Sequence, residues 1–326
     1  MKNKPIIIIA GEPYSIFFEI FFKTFKKKIF KNLRNPVILI CSKKLLCSQM
    51  IKLKHNFKIN EIIFSNINKI KINNKKINIL NVNFKFNKTF DKISSKSNKY
   101  INDCCDLAFK LIKKNGTKAL INGPISKKFF LKKKFPGMTE YFAAKTKRIN
   151  KEAMLIYNRK LAVSPLTTHL PLKNVVKNIS KKKIVIQAKI IDQFYKKYLK
   201  KKPKIAVSAL NPHCETLNKF SEENNILSPA IRKLKKDGVK IYGPYAADTL
   251  FLKSNLMFYD VIIGMYHDQV LTPIKTLYGF NAINITLGLP FIRITPDHGP
   301  NNQMIGKNLS SPASLIEAVN FIKKIK

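Results

Sequence analysis

The chain has 326 residues and a mass of 37.5 kDa, with 62 Lys and Arg against 18 Asp and Glu, a formal charge of +44. Its 45% hydrophobic fraction excludes wholesale disorder, and its length suggests about two domains of ordinary size. No run approaches the ~20 apolar residues of a membrane span, and five scattered cysteines without a C-x-x-C pair exclude a disulfide framework and a cysteine-rich zinc site. Lys2 and Lys4 precede an apolar run like the start of a secretion signal. Glu12, Pro13 and Glu19 break it, and no small-x-small cleavage site follows. A cytoplasmic protein is expected.

In chain order, strands are predicted over 5–10, 36–41 and 77–82. The last lies inside the Asn/Lys-rich stretch 66–99, which reads as a surface excursion. A helix over 100–114, ended by Asn115-Gly116, leads to a strand over 118–121. Strands over 153–157 and 161–165 precede a helix over 182–200 that stops before Pro203. Four more strands are predicted over 204–209, 239–242, 261–266 and 282–286. Ser311 and Pro312 suit the N-cap and first position of a closing helix, whose stripe of Leu315, Ile316, Val319, Ile322 and Ile325 marks a core face. Strands alternating with helices make an α/β protein with a largely parallel sheet. Composition leaves the domain boundaries unmarked.

A +44 charge would suit nucleic acid. However, Lys, Ile and Asn dominate throughout and Trp is absent, the composition of AT-rich coding sequence. The lysine runs at 26–28, 181–183 and 200–202 are spread along the chain instead of gathering on one helix or tail. Salt-sensitive adhesion to nucleic acid is expected, and specific binding is not.

Chemistry concentrates elsewhere. Four of the five histidines sit in structured contexts: Thr167-Thr168-His169, Asn211-Pro212-His213, Tyr266-His267-Asp268 and Asp297-His298-Gly299. His213 and His267 closely follow predicted strands, where ligands of open α/β sheets bind. Converging imidazoles would make a divalent-metal site with open positions. Each alone is more often a hydrogen-bonded or core residue. A second constellation is Lys275, Asn284 and Arg293, chemically suited to a phosphate. Asp248, after a turn, is either an N-cap or a substrate contact. Gly11-Glu12-Pro13 is a weak loop signal, and neither GxGxxG nor a Walker A motif occurs.

Taken together, Gly11-Glu12-Pro13, Asn122-Gly123-Pro124, the segment from Gly137 to Phe142, and the motifs TTHLPL, YHDQ and NITLGLPFIR resemble the 4-hydroxythreonine-4-phosphate dehydrogenase family of vitamin B6 biosynthesis. The resemblance spans nearly the whole chain, in order. It implies a fold like that of isocitrate and isopropylmalate dehydrogenases, with two α/β/α domains and a cleft between them. Residues 1–125 with 300–326 would form one domain, and 126–299 the metal- and substrate-binding domain. It also implies a homodimer with its site at the subunit interface. His169, His213 and His267 would be ligands of a divalent metal (Zn, Mg or Co). Met138, Thr139, Lys275, Asn284 and Arg293 would contact the small phosphorylated amino-acid substrate. Asp248 would be the catalytic candidate, and His298, Gly299 and Gly306 would meet NAD or NADP. The implied reaction is oxidation of 4-phosphohydroxy-L-threonine to a β-keto acid, which decarboxylates to 3-amino-2-oxopropyl phosphate.

Three departures stand out. Met138 replaces the family's histidine, Tyr14-Ser15-Ile16 replaces glycines, and Pro300 opens an altered loop before Gly306. They bear on substrate affinity and NAD binding, and a slower, working enzyme is expected. Two other readings stay open. One is a paralogue acting on threonate or erythronate 4-phosphate; the other is a basic nucleic-acid-binding protein with a vestigial site.

Overall fold

Strands without polar alternation must be covered on both faces, and this chain has several. In the computed structural model, which describes residues 3–67, 72–131, 134–215, 219–279 and 281–325, they form the centres of two units. Lys2 and residues 68–71 of the Asn/Lys-rich stretch lie outside the described residues. One unit takes the residues up to Pro136 together with Phe291–Lys324; the other takes Gly137–Pro290.

In the first unit, β1 (Ile6–Ile9) is four isoleucines, none exposed. It lies between β2 (Val37–Cys41) and β5 (Ala119–Asn122), parallel to both. Beyond β2 come β4 (Ile77–Asn81) and then β3 (Ile59–Glu61); beyond β5 comes β12 (Arg293–Pro296). Every pairing is parallel. The covering helices are α1 (Phe17–Lys26), α2 (Lys43–Lys52), α3 (Asn98–Asn115) and α11 (Ala313–Lys324). Ser42 caps α2 through the Leu45 N–H, and α3 stops at Gly116, whose φ of 66° a side chain would resist. Glu19 of α1, 2% exposed, accepts from Lys23 Nζ and from the Ser310 N–H. That joins α1 to the segment leading into α11.

In the second unit, β7 (Ala162–Pro165), β10 (Val261–Gly264), β8 (Ile205–Ser208) and β9 (Ile241–Tyr245) run parallel in that order. On the other side of β7, β6 (Ala153–Tyr157) and β11 (Ile283–Leu287) form an antiparallel extension. Helices α4 (Met138–Lys145), α5 (Val175–Asn178), α6 (Lys181–Phe194), α7 (Ser228–Lys236), α8 (Ala247–Leu250), α9 (Lys253–Leu256) and α10 (His267–Tyr278) complete it. Among the described residues no helix is long and apolar enough to cross a membrane.

All ten predicted strands are present, and β3 and β12 are additional. The strand expected over 239–242 begins later, because the Val239 N–H bonds the Leu234 carbonyl and closes α7. The helix expected over 182–200 is α-helical to Phe194 and continues as a wider turn to Leu199. The closing helix starts at Ala313: the Ile316 N–H bonds the Pro312 carbonyl, and Ser311 Oγ accepts from Ala313 N–H. The supposed surface excursion is anchored as well as strand-bearing. Phe84 packs 5.8 Å from Tyr14 and 5.0 Å from Tyr100.

At the carboxyl ends of β1 and β5 the backbones nearly touch. A Cβ on Gly123 would stand 2.2 Å from the Ala10 carbonyl oxygen, and one on Gly11 2.5 Å from that of Pro124. Both obstacles are main chain, so neither can move aside cheaply. We expect Gly123→Ala to cost about 1–3 kcal/mol through forced backbone shifts. A melting temperature several degrees lower, read by thermal denaturation, would show it; an unchanged one would contradict the close approach.

Candidate active site

Three predicted histidines leave the carboxyl ends of three neighbouring parallel strands. His169 follows β7, His267 opens α10 after β10, and His213 lies in the loop after β8. Because β7 and β10 are adjacent, their loops emerge side by side. The Leu166 N–H bonds the Gly264 carbonyl at 2.7 Å, and Thr167 Oγ1 donates to the Met265 carbonyl at 2.7 Å. The His169 and His267 rings consequently stand 5.9 Å apart, centre to centre. His267 Nδ1 bonds Asp268 Oδ1 at 2.6 Å, so Nδ1 is engaged and Nε2 is the nitrogen left to meet a metal. Two such imidazoles suit a divalent borderline ion. His213 is exposed, in a left-handed conformation (φ 51°, ψ 20°). Within one copy, no three His, Cys, Asp or Glu side chains among the described residues come close enough to hold a metal.

The sequence motifs also contain residues whose importance patterning did not reveal. Gln269 Oε1 accepts from the Met265 N–H and its amide donates to the Ala209 carbonyl, both at 2.7 Å. It thereby ties the end of β10 to the start of the loop carrying His213. Glu140 accepts from Thr168 Oγ1 at 3.2 Å. A Cβ on Gly137 would stand 2.8 Å from Glu140 Oε2 and 2.9 Å from His169 Cε1, so a larger residue there would push on both side chains. For Glu140 the signal available in sequence was rarity: acids are few in this chain, and this one sits inside a motif.

Thr139, 5% exposed on α4, has its hydroxyl 3.4 Å from that of Thr286 on β11. Asn284 lies two residues earlier on β11, hence on the same face, and its Oδ1 is buried without a hydrogen-bond partner among the described residues. Thr139, Glu140 and Thr168 border a cavity of about 400 Å³ that also meets Glu152, Lys183 and Gln187. Met138 is the first residue of α4. Lys275 stands exposed in the last turns of α10. Asp248 is exposed within α8, where it accepts from the Thr249 N–H at 2.9 Å. The N-cap position there is Ala246, so the capping alternative for Asp248 is corrected.

Arg293 belongs to the first unit. It is 2% exposed and donates from Nε to Asn122 Oδ1 at 2.8 Å, an oxygen that Thr295 also reaches at 3.0 Å. His298 packs 6.5 Å from the Phe17 ring; its Nε2 is buried without a hydrogen-bond partner among the described residues, and burial pushes its pKa down. Gly299 is sterically open, whereas Gly306 needs its glycine (φ 75°) beside the Phe90 ring. The Pro300 carbonyl accepts from the Ile16 N–H at 3.2 Å. Two of the departures from the family pattern therefore contact each other.

A sequence model of the PdxA family, pyridoxal phosphate biosynthetic proteins, matches residues 32–322. The 4-hydroxythreonine-4-phosphate dehydrogenase of Sulfurihydrogenibium sp. (strain YO3AOP1) is 36% identical over 331 residues, 98% of each chain. Among solved structures, a 4-hydroxythreonine-4-phosphate dehydrogenase from Klebsiella pneumoniae matches with a TM-score of 0.83 over 99% of this chain and 98% of its own, at 24% identity. An isocitrate dehydrogenase from Methylococcus capsulatus matches with a TM-score of 0.50 over 98% and 85%, at 8% identity. The fold expected from the sequence is the one found.

Glu12 is the most perturbed carboxyl near these residues. It is 2% exposed and neither oxygen has a hydrogen-bond partner among the described residues. Burial raises its pKa to about 7, with the nearby Ser97 hydroxyl pulling the other way. The folded value lies above the unfolded one, so this group favours the fold most at acid pH. That contribution falls as pH rises from about 4.5 to about 7. Glu12→Gln should remove that fall, on the order of 3 kcal/mol. Urea midpoints at pH 4.5 and near pH 8 would show a smaller difference in the variant. Equal differences would contradict a buried, unpartnered carboxyl.

Proposed function

The chain belongs to the PdxA family of pyridoxal phosphate biosynthetic proteins, and from that premise we propose that it is an oxidoreductase of pyridoxine 5'-phosphate biosynthesis, a 4-hydroxythreonine-4-phosphate dehydrogenase. The observation that carries this reading is the meeting of His169 and His267 at the ends of β7 and β10, inside the motifs that the family model matches. The substrate is 4-phosphohydroxy-L-threonine, and its oxidation gives 2-amino-3-oxo-4-phosphooxybutanoate, which loses CO₂ to leave 3-amino-2-oxopropyl phosphate.

In this reading His169, His267 and His213 hold a divalent cation (Zn, Mg or Co), and His298, Gly299 and Gly306 contact NAD or NADP. A divalent ion held there would supply electrostatic stabilisation for an ionising hydroxyl, and a nicotinamide would supply a hydride acceptor. The chain's own residues bind and orient. Asp268 keeps the His267 ring turned with Nε2 outward. Lys275 and Arg293 supply charge, and Asn284 an amide, for the phosphate. Thr139 orients the rest of the substrate beside Met138. Asp248, an exposed carboxylate, is the candidate to take the hydroxyl proton, with a metal-bound water as the alternative.

The reading includes a cytoplasmic homodimer with the site at the subunit interface. Leu170, Leu172 and Val176 support it: they follow His169 directly and are 39, 68 and 48% exposed, an apolar strip that a second copy would cover. The five cysteines form no disulfide in the structure, which suits a reducing compartment. Met138 is the observation that favours the paralogue, because a thioether cannot donate a hydrogen bond to the substrate or shuttle a proton.

The test follows NADH formation from 4-phosphohydroxy-L-threonine after chelation and readdition of metal. We expect metal-dependent turnover that falls at least about 100-fold in His267→Ala, the scale of losing transition-state charge stabilisation. Turnover of erythronate 4-phosphate alone would move the assignment to the paralogue, and turnover indifferent to metal would overturn the histidine site.

A further inference from the structure

Among the 18 acidic residues, Glu223 is completely buried, and it is spent on one loop. Its Oε1 accepts from the backbone N–H groups of Leu210 and Asn211, at 2.8 and 2.9 Å. Its Oε2 accepts from Asn211 Nδ2 at 2.9 Å. The same amide also reaches Glu222 Oε2 at 2.9 Å. No cation appears among these partners; three neutral donors hold the charge. Two residues further on comes His213.

The loop needs such a clamp. His213, Cys214 and Glu215 have φ of 51°, 67° and 25°, three successive positive values on residues with side chains. Such a run is sterically disfavoured and persists only where the surroundings over-determine it. Apolar packing does not provide that here, because Pro212 and His213 are both exposed. On the amino-terminal side, Gln269 fixes Ala209 through its carbonyl. Glu223 fixes the next two residues. Between them, every residue from Ala209 to Asn211 is tied down before the strained turn begins.

We propose that Glu223 is the positioning residue that holds the 210–213 loop so that His213 presents its imidazole to a divalent cation. This rests on the reading that His213 is a ligand, and the experiment separates the two. Residues supporting a ligand in this way typically contribute about 10–100-fold to metal affinity. Glu223→Gln keeps size and two acceptor lone pairs, yet turns an amide N–H₂ towards the Asn211 amide donor. The loop should loosen while the fold persists.

The experiment measures Co²⁺ affinity of the metal-free full-length protein by chelator competition, together with the visible spectrum of the bound ion. His213→Ala is the reference. We expect Glu223→Gln to lower affinity about 10–100-fold, to alter the cobalt spectrum, and to leave the metal-free melting temperature within a few degrees of wild type. If His213→Ala weakens binding while Glu223→Gln leaves affinity and spectrum unchanged, the positioning role is overturned and the ligand reading survives. If His213→Ala changes nothing, both fall. Should Glu223→Gln fail to fold, Asn211→Ala decides. It leaves both backbone bonds to Glu223 and should weaken cobalt binding by a smaller factor; unchanged binding overturns the proposal.

Discussion

A parallel strand buried on both faces has no place for an unpartnered polar side chain until it ends. β1, β2, β5, β7, β8 and β10 are wholly buried along their lengths, so loops and helix starts at their carboxyl ends are where chemistry can stand. Each proposed metal ligand obeys this constraint. Adjacent parallel strands also deliver their loops to the same edge, which is how histidines distant in sequence come to share one edge. The fine adjustment is then polar: Thr167 bonds the turn after β10, and Gln269 reaches across to the end of β8.

Acids are scarce in this chain, and the buried ones show how differently one charge can be managed. Glu19 has a lysine and a backbone N–H. Glu223 has three neutral donors. Glu12 has no hydrogen-bond partner among the described residues, and its elevated pKa follows from that burial. An unpartnered buried carboxyl is costly and rarely kept without a use. Its position after β1 places it at the ligand-binding edge of its sheet. The large positive charge outside gives a phosphorylated substrate and a dinucleotide a favourable approach that salt would weaken.

Much of this was legible beforehand because β-branched runs announce buried strands regardless of context. β3 escaped notice because Ile-Asn-Glu is a three-residue edge strand with no pattern to read. β12 escaped because Arg293 and Pro296 look like loop chemistry, whereas Arg293 is a strand residue bonded to Asn122. The motifs pointed to His169 and His267, but their proximity depends on β7 and β10 pairing, which only the sheet order reveals. Asp248 looked like a helix cap because acids commonly are; here the helix begins one residue sooner. Glu223 could not be read at all, since its partners are backbone groups more than ten residues away.

The central claim is that His169, His213 and His267, drawn from the two copies of a homodimer, hold one divalent ion. Anomalous diffraction from crystals of the zinc-loaded protein tests it most directly. The account predicts a single strong peak bound by His169, His213 and His267, with His267 coordinating through Nε2. A peak on other side chains, or one held without His213, would contradict it.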